Sequence, residues 1–182
     1  MEPAEIQKRR AIETHTLQAD EFAASYVEGE TDAYRSCFNY SRLRLDEWLE
    51  RYLPRRGDGF RLLDVGCGTG HHIARLRERG FEVAGVDGSE EMLNHARVNN
   101  PGAEIRHADV ESLPFADASF DYVICIEVFR YLPSLDRCTE EIARVLKPGG
   151  LCLATAAPAL SLNGYWVVNR IANLVQIGDL VR

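Results

Sequence analysis

The stretch Arg61-Leu-Leu-Asp-Val-Gly-Cys-Gly-Thr-Gly70 decides how this chain is read. Leu62, Leu63 and Val65 form a short apolar run, the pattern of a strand buried on both faces. Gly66, Gly68 and Gly70 then alternate through a turn, and residues 71–79 read as a helix stopped by Gly80. Glycines at a strand-to-helix turn let a ligand approach the backbone closely. In open α/β sheets ligands sit beyond the carboxyl ends of the strands, near the point where strand order reverses.

Working outward, residues 81–86 form a second strand, followed by Asp87-Gly-Ser89. Ser89 is placed to cap a helix whose first turn holds Glu90 and Glu91, the sign that suits the helix dipole. Met92, Leu93 and Ala96 give that helix its buried face. Further strands are expected at 104–107, 119–126 and 151–156. A helix marked by Leu135, Cys138, Ile142, Val145 and Leu146 precedes the last, and Gly149-Gly150 reads as the turn between them. Strands alternating with helices predict an α/β fold with a doubly wound, Rossmann-like, mostly parallel sheet. Residues 1–57 read as a helical cap, with Leu45, Trp48, Leu49, Tyr52 and Leu53 on one helix face, and residues 58–182 as the ligand-binding domain of one compact unit.

The chain has 182 residues, 46% hydrophobic and 27% charged, enough for one domain with a true core. Net charge is −7 and no basic arm exists, which argues against a dedicated nucleic-acid binder. The five cysteines include no C-x-x-C pair, so neither a zinc site nor a redox motif is expected. With no signal-peptide pattern and no apolar membrane span, a reducing, cytoplasmic setting fits.

Asp87 follows Gly66 by 21 residues, at the end of the second strand, where a carboxylate accepts from both hydroxyls of a ribose. The loop is G-x-G-x-G, with His71 where a dinucleotide fold needs its third glycine, and no G-x-x-x-x-G-K-[ST] occurs. The pattern suits a ribose-bearing ligand without a pyrophosphate.

On these residues the chain resembles the class I S-adenosylmethionine (SAM)-dependent methyltransferases, of the type 11-like kind that act on small molecules. The likeness runs from the glycine loop through Gly85-Val-Asp-Gly-Ser89, His107-Ala-Asp109, Leu113-Pro-Phe115, Ser119-Phe-Asp-Tyr-Val123 and Arg144-Val-Leu-Lys-Pro-Gly-Gly150, covering residues 60–157. It implies SAM as cofactor and S-adenosylhomocysteine as product. It also implies roles by position. Gly66, Cys67 and Gly68 lie against the methionine part, and Asp64 supports the amino group. Asp87 takes the ribose hydroxyls, and Gly88 and Met92 line the adenine. Asp109 accepts from the adenine amino group, with the Val110 amide nearby, and Cys125 and Ile126 border the transferring methyl. Cys67 is expected to be a small loop residue rather than a nucleophile, and Asp121 a structural carboxylate.

No residue stands out as a general base; Glu127, His71 and Tyr131 are the candidates, while His15 and His95 read as ordinary helix residues. Cys125-Ile-Glu-Val-Phe-Arg-Tyr131 lacks the [DN]-P-P-[YF] of many base-modifying relatives, which favours a small-molecule acceptor. Tyr26, Tyr34 and Tyr40 are lid candidates, Tyr40 foremost. The resemblance implies a seven-stranded sheet, but residues 157–182 hold one plausible helix, 164–176, and no β-hairpin. A truncated C-terminal part is therefore expected, with a second copy or another chain covering the edge of the fifth strand. A non-catalytic SAM-binding module acting with a partner, and an NAD-dependent oxidoreductase, are the competing readings.

Overall fold

A computed structural model describes residues 3–28 and 37–155, with side chains at 5–24 and 44–155. The tyrosine lid candidates and the expected 164–176 helix lie outside the described side chains. The elements run α1 (Pro3–Leu17), α2 (Ala19–Glu28), α3 (Cys37–Tyr52), β1 (Arg61–Val65), α4 (His71–Glu78), β2 (Glu82–Asp87) and α5 (Glu90–Asn99). Then come β3 (Glu104–His107), β4 (Phe120–Cys125), a single 3₁₀ turn (Phe129–Tyr131), α6 (Asp136–Val145) and β5 (Leu146–Ala154).

Among the described residues the sheet has five strands in the order β3-β2-β1-β4-β5. All four pairings are parallel, as short apolar strands joined by helices require. Strand order reverses at β1, so the loops after β1, β2 and β4 meet at one rim. Alternate residues feed two cores. Leu63, Val65, Val86 and Val123 pack with Ile142 and Val145 of α6 on one face. Leu62, Val83 and Ile124 pack with Ile73, Leu76, Leu93, Leu49 and Leu53 on the other. By parity Asp64 falls on the Leu62 side, paired in register with Gly85 and Ile124.

β5 begins five residues earlier than the sequence reading places it. Leu146 pairs with Phe120, and Leu151 resumes pairing opposite Tyr122, so Lys147–Gly150 bulge out of the strand. Gly149 has φ +80°, and a Cβ on Gly150 would come within 3.0 Å of the Asp121 carbonyl. The double glycine is thus a bulge within β5, not a turn before it.

Candidate functional site

β1 ends in a loop with three left-handed glycines, Gly66, Gly68 and Gly70, at φ +76°, +51° and +80°. A Cβ on Gly66 would lie 2.2 Å from Val128, which folds in from the loop after β4. At Gly68 nothing lies within 4 Å of a Cβ position, so the backbone is open there to a close-fitting ligand. Asn100 Nδ2 donates to the Gly70 carbonyl at 3.0 Å, and Asn99 Nδ2 to the Thr69 carbonyl at 3.2 Å; the end of α5 holds the loop in shape.

Two carboxylates sit under this loop. Asp87 accepts from the Gly68 amide through one oxygen and from the Ser89 amide through the other, both at 2.9 Å. Burial pushes its pKa up, and those amides together with the nearby His15 oppose the shift. Asp64 is 1% exposed, and its Oδ2 meets no partner among the described residues. Burial, with Asp87 as a nearby like charge, raises it to about 8. A buried carboxylate oxygen without a donor suits a cationic group of a ligand.

After β2, Ser89 caps α5 as expected, accepting from the Met92 amide at 3.3 Å, and Met92 is buried. His107 Nε2 donates to the Gly88 carbonyl at 2.9 Å. Val110 is buried in the core, so its backbone is what it offers.

Lys8 Nζ of α1 donates to the two Asp109 oxygens at 2.5 and 2.6 Å and also holds Glu111. Two expectations need correction. His15 is not an ordinary helix residue, because its ring stands edge-on to Tyr131 at 4.8 Å and beside Phe22 at 5.4 Å. The Cys125 thiol lies in the core with Cys138 and Cys152 and does not line the cleft, which leaves any contact there to the backbone. Ile126, next in the chain, is half-buried against the other core.

Glu127 adopts φ +58°, with its amide on Thr155 Oγ1 at 2.7 Å and its side chain on Arg130 at 2.9 Å. Such strain in a non-glycine residue at a strand end marks a loop whose shape is fixed from outside. Cys67 is buried, and burial raises its thiol well above the ordinary value, against a nucleophilic role. Asp121 holds the Arg61 amide and Lys147, a structural carboxylate as expected.

His71 and His72 open α4, and with Asp46 of α3 they bring ligand atoms within 4.8 Å of one another. Asp46 is already paired with the Arg75 guanidinium. A metal there would sit against that fixed charge and the positive end of α4, so the group reads as a polar joint between α3 and α4.

The comparisons fall on the same region. The methyltransferase-domain family profile matches residues 63–154, from β1 to the last residue of β5. This chain belongs to that family. Among curated relatives, the malonyl-[acyl-carrier protein] O-methyltransferase of Erwinia pyrifoliae is 44% identical over 99 residues, covering 54% of this chain and 38% of its own length. The demethylmenaquinone methyltransferase of Staphylococcus aureus is 40% identical over 123 residues, covering 62% of this chain and 51% of its own. A SAM-dependent methyltransferase structure from Mesorhizobium loti superposes with a TM-score of 0.56 at 31% identity, covering 61% of this chain and 52% of that one. The chain thus spans about half the length, or less, of these methyltransferases.

What sequence reasoning missed is the contribution of α1. Lys8, Ile12, His15 and Thr16 all touch the rim loops, and only their spacing along one helix face hinted at it.

Proposed function

We propose that the chain binds SAM and transfers its methyl group to a small-molecule acceptor. The observation that carries this is the pair of buried carboxylates beneath the open glycine loop. Asp64 has an unsatisfied oxygen fit for the cofactor's ammonium, and Asp87 stands at the end of β2 for the ribose hydroxyls. Gly68 leaves room for the methionine part, and Gly66 and Cys67 form the wall beside it. Gly88 and Met92 line the adenine, and Asp109 and the Val110 amide meet its polar edge. The backbone at Cys125 and Ile126 borders the reacting end. When bound, SAM supplies an activated methyl on a positively charged sulfur with a neutral leaving group. The protein's task is then to hold the acceptor in line and keep water out, and positioning of this kind contributes several kcal/mol. A base is needed only when the acceptor must lose a proton.

The relatives' names cover a malonyl group on acyl-carrier protein, methylated at oxygen, and a demethylated quinone. They support a metabolite-derived acceptor over a nucleic acid. We take residues 1–57 as a cap over the 58–182 domain, and a partner or second copy as covering the outer edge of β5. The second reading is a non-catalytic SAM-binding module completed by another chain, motivated by the partial span of the relatives; methyl transfer in a metabolite screen separates the two.

Calorimetric titration with S-adenosylhomocysteine tests the proposal. Micromolar binding is expected, weakened by about 1.5–3 kcal/mol in Asp87→Ala, since charge-assisted hydrogen bonds are lost. A folded protein that takes up no ligand refutes it.

A further inference from the structure

Helix α1 lies across the strand ends along a single face. Lys8, Ile12, Thr16 and the intervening His15 are spaced by three, four and eight residues, so they share one side of the helix. Each meets a rim loop. Lys8 holds Asp109 and Glu111 after β3. Ile12 Cδ1 closes over Gly88 so tightly that a Cβ there would come to 3.0 Å. Thr16 Oγ1 lies 2.9 Å from Ser89 Oγ. His15 leans on Tyr131 after β4. The loops after β2 and β3 are those to which the proposed function assigns ribose and adenine, the loop after β4 borders the reacting end, and α1 covers all three as a strap.

The strap is fastened electrostatically at one point. Lys8 Nζ stands between two carboxylates, with its side chain 17% exposed. Burial alone would lower its pKa; Asp109 and Glu111 more than reverse that, so the ammonium stays charged across the working pH range. An ammonium is a far stronger partner for a carboxylate than the neutral exocyclic amine of an adenine. While Lys8 holds both oxygens of Asp109, an adenine amino group must compete with an ammonium for them.

We propose that Lys8 is a latch: it holds the carboxylate that the adenine of the cofactor uses, so α1 is fastened across the strand ends and must release Asp109 when an adenosine-bearing ligand enters. The inference rests on the reading of Asp109 as the adenine acceptor. A protein that must open first binds with an affinity reduced by the fraction already open. Removing the latch therefore tightens binding, although it deletes a charge from a site that looks built to hold it.

The test is titration of the full chain and its variants with S-adenosylhomocysteine. Lys8→Met keeps the apolar stem and removes the charge; it is expected to bind about five- to tenfold tighter, with a faster association rate. Glu111→Gln loosens the latch while leaving Lys8 and Asp109 in place, and should shift affinity the same way by less. Added salt, which screens the half-exposed Asp109 end, should strengthen binding to the parent chain more than to Lys8→Met. Unchanged or weaker binding by folded Lys8→Met overturns the latch and leaves the cofactor assignment standing, with Lys8 then a bystander or a direct ligand contact. Failure of the parent chain and both variants to bind overturns the cofactor assignment and the latch with it.

Discussion

Asp64 carries a charge problem that a ligand is suited to solve. It is held up at about 8 by burial and by Asp87, against an ordinary value of 3.8. The folded chain therefore keeps a proton that the unfolded chain gives up from about pH 4 upward. The sign follows: stability declines as pH rises from about 4 to about 8, then levels off once the folded carboxyl also ionises. Asp64→Asn removes this dependence and introduces a buried amide with an imperfect partner. Urea unfolding should find the variant gaining on the parent by about 2–4 kcal/mol between pH 5 and pH 8. The same variant should bind S-adenosylhomocysteine at least about tenfold more weakly, because the ligand's ammonium loses its counter-charge. In the parent chain, binding should release a proton below pH 8, read as a buffer-dependent calorimetric enthalpy. The same difference between the two proteins at both pH values would mean that Asp64 is already ionised in the free protein.

At the scale of elements, the glycine loop separates two roles that the sequence merges. Gly66 and Gly68 look equivalent in G-x-G-x-G, yet one is packed and the other open. Gly66→Ala drives a methyl into Val128 at a positive φ, and should destabilise the fold by about 2–4 kcal/mol in thermal or chemical unfolding. Gly68→Ala meets only the backbone cost of about 1 kcal/mol, and should reveal itself in ligand affinity instead. Similar losses of stability at both positions would remove the distinction.

The strands, α4, α5 and α6 were legible in the sequence because a buried element repeats one chemistry, apolar, at a fixed period. The Ser89 cap and the Asp64 and Asp87 positions were legible because strand ends and helix starts have sharp signals. α1 was legible as a helix but its working face was not, for a physical reason. Its working face mixes an ammonium, an isoleucine, an imidazole and a hydroxyl, so hydropathy shows no stripe although the spacing is helical. The bulge in β5 reads as a turn in the sequence because glycines serve both, and only the Phe120–Leu146 pairing tells them apart. The burial of the Cys125 thiol was hidden as well, since β4 exposes neither face over its last three residues.

At the scale of the molecule, the described residues form a sheet with two covered faces and unequal edges. β3 at one end is four residues long and half exposed, the kind of short edge that resists pairing. β5 at the other end is longer, and Cys152, Leu153 and Ala154 are buried. Among the described residues it has a strand neighbour on one side only. Its bulge at Lys147–Gly150 disrupts the first half of the edge, where Lys147 is also tied to Asp121. The second half, 151–154, runs regularly against Tyr122–Cys125 and offers its outer backbone groups to a further strand. A second copy is the simplest partner that a purified sample supplies. Sedimentation velocity on this 182-residue chain should therefore show reversible association at tens of micromolar, weakened when Ala154 is replaced by proline; the Thr155 amide faces the Cys125 carbonyl of β4, so by alternation the Ala154 amide is one that faces outward. A monodisperse monomer up to the highest soluble concentration would mean that the chain itself protects this edge.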